Sequence, residues 1–231
     1  LKNVRLVGFE YIQNQIEAEN QTLQSLQGHS GMAQGVVRIA AYSSVMRSVI
    51  MPAIQPLLKN SSAVSIEFFC REYSELSGMI RTGEADFMIH EAGQPFQNCT
   101  EVPLGSETLV HIRNRALNET YDETAIPVFL DHDNEDLTTY RFFERQGMKD
   151  KEFFRSFYDD VYGLIDGVRL GFGEAIVSQH LLKDKPELVV IEHPNEMLIP
   201  FSLYFASNRF VSDLHKKIID TLVESVPGLL E

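Results

Sequence analysis

What this chain can fold into is restricted most by the order of segments between residues 36 and 90, where β-branched apolar runs alternate with amphipathic ones. VVRIAAY (36–42), VSIEFFC (64–70) and ADFMIH (85–90) are short, apolar and bounded by turn residues, which marks them as strands. Between them the pattern predicts a helix over 45–59 and a second over YSELSGMIRTG (73–83). Ser43 and Ser44 offer side-chain oxygens to cap the first helix, Pro52 and Pro56 make it short or kinked, and Gly83 closes the second. Strand, helix, strand, helix, strand calls for right-handed crossovers, so the sheet is expected to be parallel. ETLVHI (107–112) then leads out of this unit as a further strand.

A second unit repeats the plan. IPVFL (126–130) reads as a strand, the acidic turn DHDNED precedes a helix at 137–146, and KEFFRSF (151–157) is the next strand. A helix from Asp160 to about Leu170 stops at Gly171, and EAIVS (174–178), LVVIE (188–192) and PFSLYFA (200–206) follow as strands. The closing segment SDLHKKIIDTLVESV (212–226) places Leu214, Ile218, Leu222 and Val226 on one helical face. Two similar α/β units, with one strand running between them and another returning, predict two lobes around a cleft. Lobe one is expected over 36–110 with 204–231, and lobe two over 112–199.

Residues 1–27 read as a helix that stops at Gly28, with Phe9, Ile12, Ile16, Leu23 and Leu26 in a stripe that Glu19 interrupts. That stripe suits an intramolecular packing face as well as a dimer contact. Residues 1–30 are therefore expected to be a linker or dimerisation helix, connected to something upstream. The segment has no continuous apolar stretch and is read as neither a secretion signal nor a membrane span. The formal net charge of −13 opposes a phosphate backbone, and the basic residues are scattered, so nucleic acid is not an expected partner of this stretch. Two cysteines, Cys70 and Cys99, make no disulfide framework and fit a cytoplasmic protein.

Catalytic and metal signatures are wanting. Asp131, Asp133 and Glu135 alternate like calcium ligands, but the sixth position of such a loop is Asp136 in place of glycine and the twelfth is Phe142 in place of glutamate. A helix-start turn whose acids complement the N-terminal dipole explains them better. The GFG at 171–173 lacks the third glycine of a dinucleotide loop, where Ile176 stands, and reads as a helix stop followed by a tight turn. No histidine pair has zinc spacing, and there is no G-x-S-x-G elbow. Cys70 and Cys99 read as inert thiols, with a redox pairing as the alternative. No cofactor, metal or enzyme activity is expected.

The informative positions are the turns that follow the strands, because open α/β sheets bind ligands beyond the carboxyl ends of their strands. Ser43 and Ser44 follow the first strand, Arg71 and Tyr73 the second, and His90 the third. Asp131 and His132 follow the first strand of the second unit, Tyr158 its next strand, and Phe172 sits on the glycine turn. These nine are the expected ligand-binding residues, suited to a small polar or anionic molecule. Arg71 and the helix starts favour an anion, while Glu72, Glu91 and Asp131 oppose one.

GVVRIAAYSSVMRSVIMPAIQPLLKN resembles the opening of the effector-binding domain of LysR-type transcriptional regulators, and ELSGMIRTGEADFMI resembles that family's E-L-x-x-x-(L/I)-x-x-G-x-x-D segment. VPLGSETLVHI is similar to its crossover strand, and VYGLIDGVRLGFGEAIVSQHLL to its glycine-containing second-lobe segment, although Gln179 and His180 stand where a proline often follows. The resemblance implies a two-lobed periplasmic-binding-protein type II-like domain preceded by a linker helix. It implies a small-molecule effector bound between the lobes, a homodimer or homotetramer, and DNA contact only through a helix-turn-helix that would precede Leu1. By location it points to Ser43, Ser44 and Tyr73, and in the second lobe to Asp131, His132 and Tyr158. A periplasmic solute-binding protein of a transporter, and an enzyme on the same fold, are the alternative readings.

Overall fold

The structure, a computed structural model, describes residues 35–59, 64–122, 124–208 and 211–230, together with Ile12 and Gln15. The helix expected over 1–27, with its stripe at Phe9, Ile16, Leu23 and Leu26, lies outside these residues; Ile12 and Gln15 are helical and exposed. The chain divides into two compact units, Leu1–Gly105 with Phe201–Pro227 and Ser106–Pro200 with Gly228–Glu231.

In the first unit β1 (Gly35–Ala41) is central. It pairs in parallel with β2 (Val64–Cys70) over its whole length, from Gly35↔Val64 to Ala41↔Cys70. On its other side it pairs in parallel with β3 (Phe87–Glu91) at Ile39↔Phe87 and Ala40↔Met88. β3 in turn pairs antiparallel with the end of β9 (Met197–Ala206). Val37, Ile39, Ala40 and Ala41 are fully buried, as a parallel strand covered on both faces requires.

After Tyr42 the chain enters α1 (Ser43–Val45), a π turn (Met46–Ile50) and α2 (Met51–Lys59) without a break. The widened turn ends just ahead of Pro52, whose ring nitrogen has no proton to continue the ladder. α3 (Tyr73–Thr82) starts with a reciprocal capping box between Glu72 and Glu75 and ends at Gly83, whose φ of +73° suits glycine. Its Leu76, Met79 and Ile80 pack with Ala40, Ala85, Met88 and Tyr204. The stripe expected on the closing helix is buried throughout: α7 (Asp213–Ser225) lays Leu214, Ile218 and Leu222 inward, followed by Val226, and packs against α2.

β4 (Cys99–Asn114), which starts in the first unit and continues into the second, is far longer than the strand expected at 107–112. Pro103 and Gly105 look like breakers in sequence, yet the extended chain runs through both. Its later residues pair antiparallel with β7 (Ala175–Ser178) and with β8 (Leu188–Ile191). After β4 come α4 (Arg115–Asn118), capped by the Asn114 side chain, and then β5 (Val128–Asp131). β5 lies parallel to β6 (Phe154–Phe157), and α5 (Thr138–Arg145) connects them. α6 (Val161–Arg169) follows, with the Asp160 carboxylate accepting from the Gly163 amide, and a 3₁₀ turn (Gln179–Leu182) follows β7. Ile112, Leu130, Leu164, Ile165, Val168 and Val177 form one part of its core, and Phe129, Phe142, Phe143 and Ile176 another. α8 (Pro227–Leu230) ends the described chain. Among the described residues no helix is long and apolar enough to cross a membrane.

Two local devices shape this unit. The first is the glycine turn: Gly171 (φ +81°) stops α6, and a Cβ on Gly173 would lie 2.5 Å from the Val128 carbonyl oxygen. Glycine there lets Glu174 donate its amide to Val128 at 2.8 Å and accept from Leu130 at 2.8 Å. The second is Arg155 on β6, whose guanidinium pairs with the Asp131 carboxylate and donates to the carbonyls of Asp133 and Asp136. Thr139 donates to the other Asp131 oxygen at 2.5 Å, and the Asp133 carboxylate accepts the amides of Glu135 and Asp136. The acidic turn thus folds around one arginine.

Gly173→Ala should cost about 1–3 kcal/mol in urea unfolding through this backbone clash. Gly78→Ala, mid-helix with open space around its Cβ position, should gain about 0.5–1 kcal/mol. Arg155→Met leaves a buried carboxylate without its partner and should cost roughly 3 kcal/mol in the same measurement.

Candidate functional site

The parallel register of the first unit brings three strand ends side by side. Because Ala41 is level with Cys70, Arg71 donates its amide to the Ala41 carbonyl at 3.1 Å. Ala40 is level with Met88, so His90 stands beside Tyr42. Ser43, Ser44, Arg71, the backbone of Tyr73 and His90 therefore share one end of the sheet. The side chain of Tyr73 lies outside the described residues.

Two helices begin at this end, and they differ. α1 follows Tyr42, an N-cap residue in extended conformation with no side-chain bond to the helix start. The first amides of a helix have no carbonyl partner within it, so those of Ser43, Ser44 and Val45 lack an acceptor inside the helix and have a positive dipole end behind them. Ser44 is only 8% exposed and Ser43 is half-buried; Ser48 holds the turn by donating its hydroxyl to the Ser44 carbonyl at 2.6 Å. The start of α3 is occupied by its own carboxylates: Glu72 accepts from an amide of the first turn, and Glu75 accepts from the Glu72 amide at 3.3 Å. An anion is thus repelled at α3 and unopposed by a cap at α1. Arg71 extends along the edge, donating to its neighbour's carbonyl on Cys70 at 2.8 Å with its guanidinium 5.7 Å from the Phe69 ring centre.

His90 closes the β3 end. Burial lowers its pKa below the ordinary 6.5, against the opposing pull of the Glu91 backbone and charge, so near neutral pH it is an uncharged imidazole. Its ring meets Phe96 edge-on at 5.1 Å, and Phe96 meets Tyr204 at 5.0 Å. The Tyr204 hydroxyl donates to the Glu91 carbonyl at 2.9 Å and accepts from the Gln94 amide at 3.2 Å. Glu101 accepts the Gly93 amide at 2.8 Å, and that bond, as the largest cause, holds its carboxyl below the usual range. Phe96, Glu101 and Tyr204 brace this end of the sheet, and no spacing in the sequence ties them to His90.

The other four expected residues are in the second unit. Asp131 and Tyr158 adjoin at the ends of β5 and β6, where the Tyr158 amide donates to the Asp131 carbonyl at 2.9 Å. Both Asp131 carboxylate oxygens are engaged, by Thr139 and Arg155. The Tyr158 ring packs with the core near Gly167. His132 is half-buried with its Nδ1 3.4 Å from Asp133. Phe172 is exposed and lies ahead of β7, where β5 begins, so it stands at the opposite end of these strands from Asp131.

Several polar side chains of the second unit bond to one another. Ser178 and His180 both bond to the buried Glu107 carboxylate, at 3.0 and 2.6 Å, so the serine meets a carboxylate and no imidazole in this trio. The half-buried Cys99 thiol is pushed up by burial, away from the reactive thiolate. Among the described residues no group of three or more His, Cys, Asp or Glu could hold a metal ion.

Residues 30–227 match the family described as LysR substrate binding domain. In structure the chain is similar to the full-length LysR-type regulator LysG from Corynebacterium glutamicum with bound effector Arg. The TM-score is 0.72 at 15% identity, covering 94% of this chain and 76% of that one. It is similar to ArgP from Mycobacterium tuberculosis, with TM-score 0.74 at 15% identity over 96% of this chain and 78% of that one. A substituted variant of the OxyR2 regulatory domain from Vibrio vulnificus gives TM-score 0.66 at 19% identity over 87% and 100%. No curated protein matches the chain in sequence. At such identities the structures speak for the fold, which is periplasmic-binding-protein type II-like, and the sequence match over most of the chain speaks for the family. This chain belongs to the LysR substrate-binding domain family, the ligand-sensing regulatory part of LysR-type regulators.

Proposed function

We propose that this domain senses a small polar or anionic metabolite held at the start of α1 by the Ser43 and Ser44 hydroxyls and the amides beside them. The observation that carries this reading is the contrast between the two neighbouring helix starts, one filled by Glu72 and Glu75 and the other without a side-chain cap. A carboxylate or similar group finds donors and a positive dipole end only at the second. LysG carries arginine as its bound effector, a molecule with one such group. Arg71 and the neutral His90 stand at the same strand end and would read the remainder of the ligand. In the second unit His132, Tyr158 and Asp131, the last acting through the turn it holds, are kept as candidate contacts, whereas Phe172, at the opposite end of those strands, is given up.

The domain works by binding and not by turnover. The effector shifts an equilibrium between two states of the regulator by its difference in affinity for them, with about 1.4 kcal/mol for each tenfold change in their ratio. Transcription is then modulated through a DNA-binding segment outside this sequence, in a cytoplasmic homodimer or homotetramer. The net charge of −13 supports leaving DNA contact to another part of the regulator.

A thermal-shift screen against metabolites tests the reading. A ligand at about 100 times its dissociation constant should stabilise the fold by about 2.7 kcal/mol. Ser44→Ala should weaken that ligand by about 1–2 kcal/mol, or roughly five- to thirtyfold, with its own unfolding midpoint close to wild type. A hit equally tight in Ser44→Ala and Ser43→Ala removes the site, and conversion of the hit to product removes the sensor reading.

A further inference from the structure

In the second unit, residues 192–196 join β8 to β9 and are strapped to the core by side chains from α5 and β4. Gln146 donates to the Asn195 carbonyl at 2.6 Å and accepts the Asn195 amide at 3.0 Å. Arg145 donates to the Glu196 carbonyl at 3.1 Å, and its own carbonyl accepts from the Asn195 side chain at 3.2 Å. The remaining strap is His193, whose Nε2 lies 3.0 Å from Nδ1 of His111 on β4. Of these fastenings only the imidazole pair changes charge near neutral pH.

Its protons can be placed from its neighbours. His111 Nε2 is 2.5 Å from the Glu174 carboxylate, and Arg113 donates to both oxygens of that carboxylate at 3.1 and 3.2 Å. Burial works to raise the Glu174 pKa, but the bonds from His111 and Arg113 outweigh it and hold the group ionised. A carboxylate only accepts, so His111 carries its proton on Nε2 and presents a lone pair at Nδ1. His193 must then donate from Nε2, which leaves its Nδ1 as the place where the first added proton goes. That proton leaves the contact intact. A second, on His111 Nδ1, sets two N–H groups against each other.

We propose that His111 and His193 form a proton-gated latch, which holds residues 192–196 while the pair carries at most one added proton and lets go when it takes the second. The groups facing it are Glu174, which favours protonation, and Arg113 and Lys151, which oppose it. Phe129 from β5 and Phe142 and Phe143 from α5 enclose the two rings and do not titrate. Burial, as the largest cause, lowers both histidines below 6.5. Folded-state values below the unfolded one mean that the latch is fully formed above about pH 6.5 and is lost as pH falls towards the folded values. The device is independent of the effector reading.

Hydrogen exchange of residues 190–198 from about pH 7.5 to about pH 5, corrected for intrinsic rates, tests it. Protection of this segment should fall at least about tenfold while that of α7 is retained, the equivalent of about one unit of proton linkage. His193→Gln can donate to or accept from His111, so its protection should stay flat with pH. Nitrogen-15 shifts of wild-type His111 at about pH 7.5 should report the neutral Nε2–H tautomer. The opposite tautomer, a wild-type segment indifferent to pH, loss in step with α7, or His193→Gln losing protection like wild type would each overturn the latch.

Discussion

Everything placed at the candidate site depends on the parallel pairing of β1 with β2 on one side and β3 on the other. Parallel strands cannot be joined by tight turns, so β1 and β2 are each followed by a helical crossover, and both crossovers leave from the same edge. The register is pinned near both ends. At one, Asp86 accepts the Arg38 amide through its carboxylate at 2.6 Å while its own amide donates to the Arg38 carbonyl at 2.8 Å. At the other, the Arg71 amide reaches Ala41. A slip of one residue would turn the fully buried Val37, Ile39 and Ala41 to the other face of the sheet and move Ser43 and Ser44 away from Arg71 and His90.

Within that edge, the proposed specificity rests on which helix start is already satisfied. A helix supplies the same backbone donors wherever it begins, so side chains decide whether a ligand can use them. Glu72 and Glu75 close α3 to anions, whereas Tyr42 contributes no acceptor to α1. The acidic character of the chain thus does not argue against an anionic effector, because the nearby carboxylates of α3 are turned to capping. Arg155 plays the corresponding part in the second unit by neutralising the Asp131 carboxylate inside an otherwise acidic turn.

Local patterns were legible in the sequence and long-range pairs were not. β2 spans the residues expected, and the Leu214, Ile218, Leu222 and Val226 stripe is buried as its period implies, because burial of one face is a local property of the chain. β4 extends beyond the strand expected at 107–112, and through Pro103 and Gly105, because such residues end a strand only where a ladder needs their amide or side chain. Arg155 is 24 residues from Asp131, and Glu174 is 63 from His111, so neither pair leaves a spacing to find. Phe172 shows another limit: lying next to a strand does not say at which of its ends a residue stands. Among the nine expected ligand contacts, Ser43, Ser44, Arg71, Tyr73 and His90 come to one edge, since strand order and chain direction determine their placement.

The most direct measurement of the account is amide chemical-shift mapping of the isotope-labelled domain titrated with a metabolite that stabilises it. Perturbations concentrated at Ser43, Ser44, Val45, Arg71 and His90, with the ligand recovered unchanged, are what the account predicts. Perturbations confined to the Asp131–Thr139 turn or to the surface around Phe172, or consumption of the ligand during the titration, would contradict it.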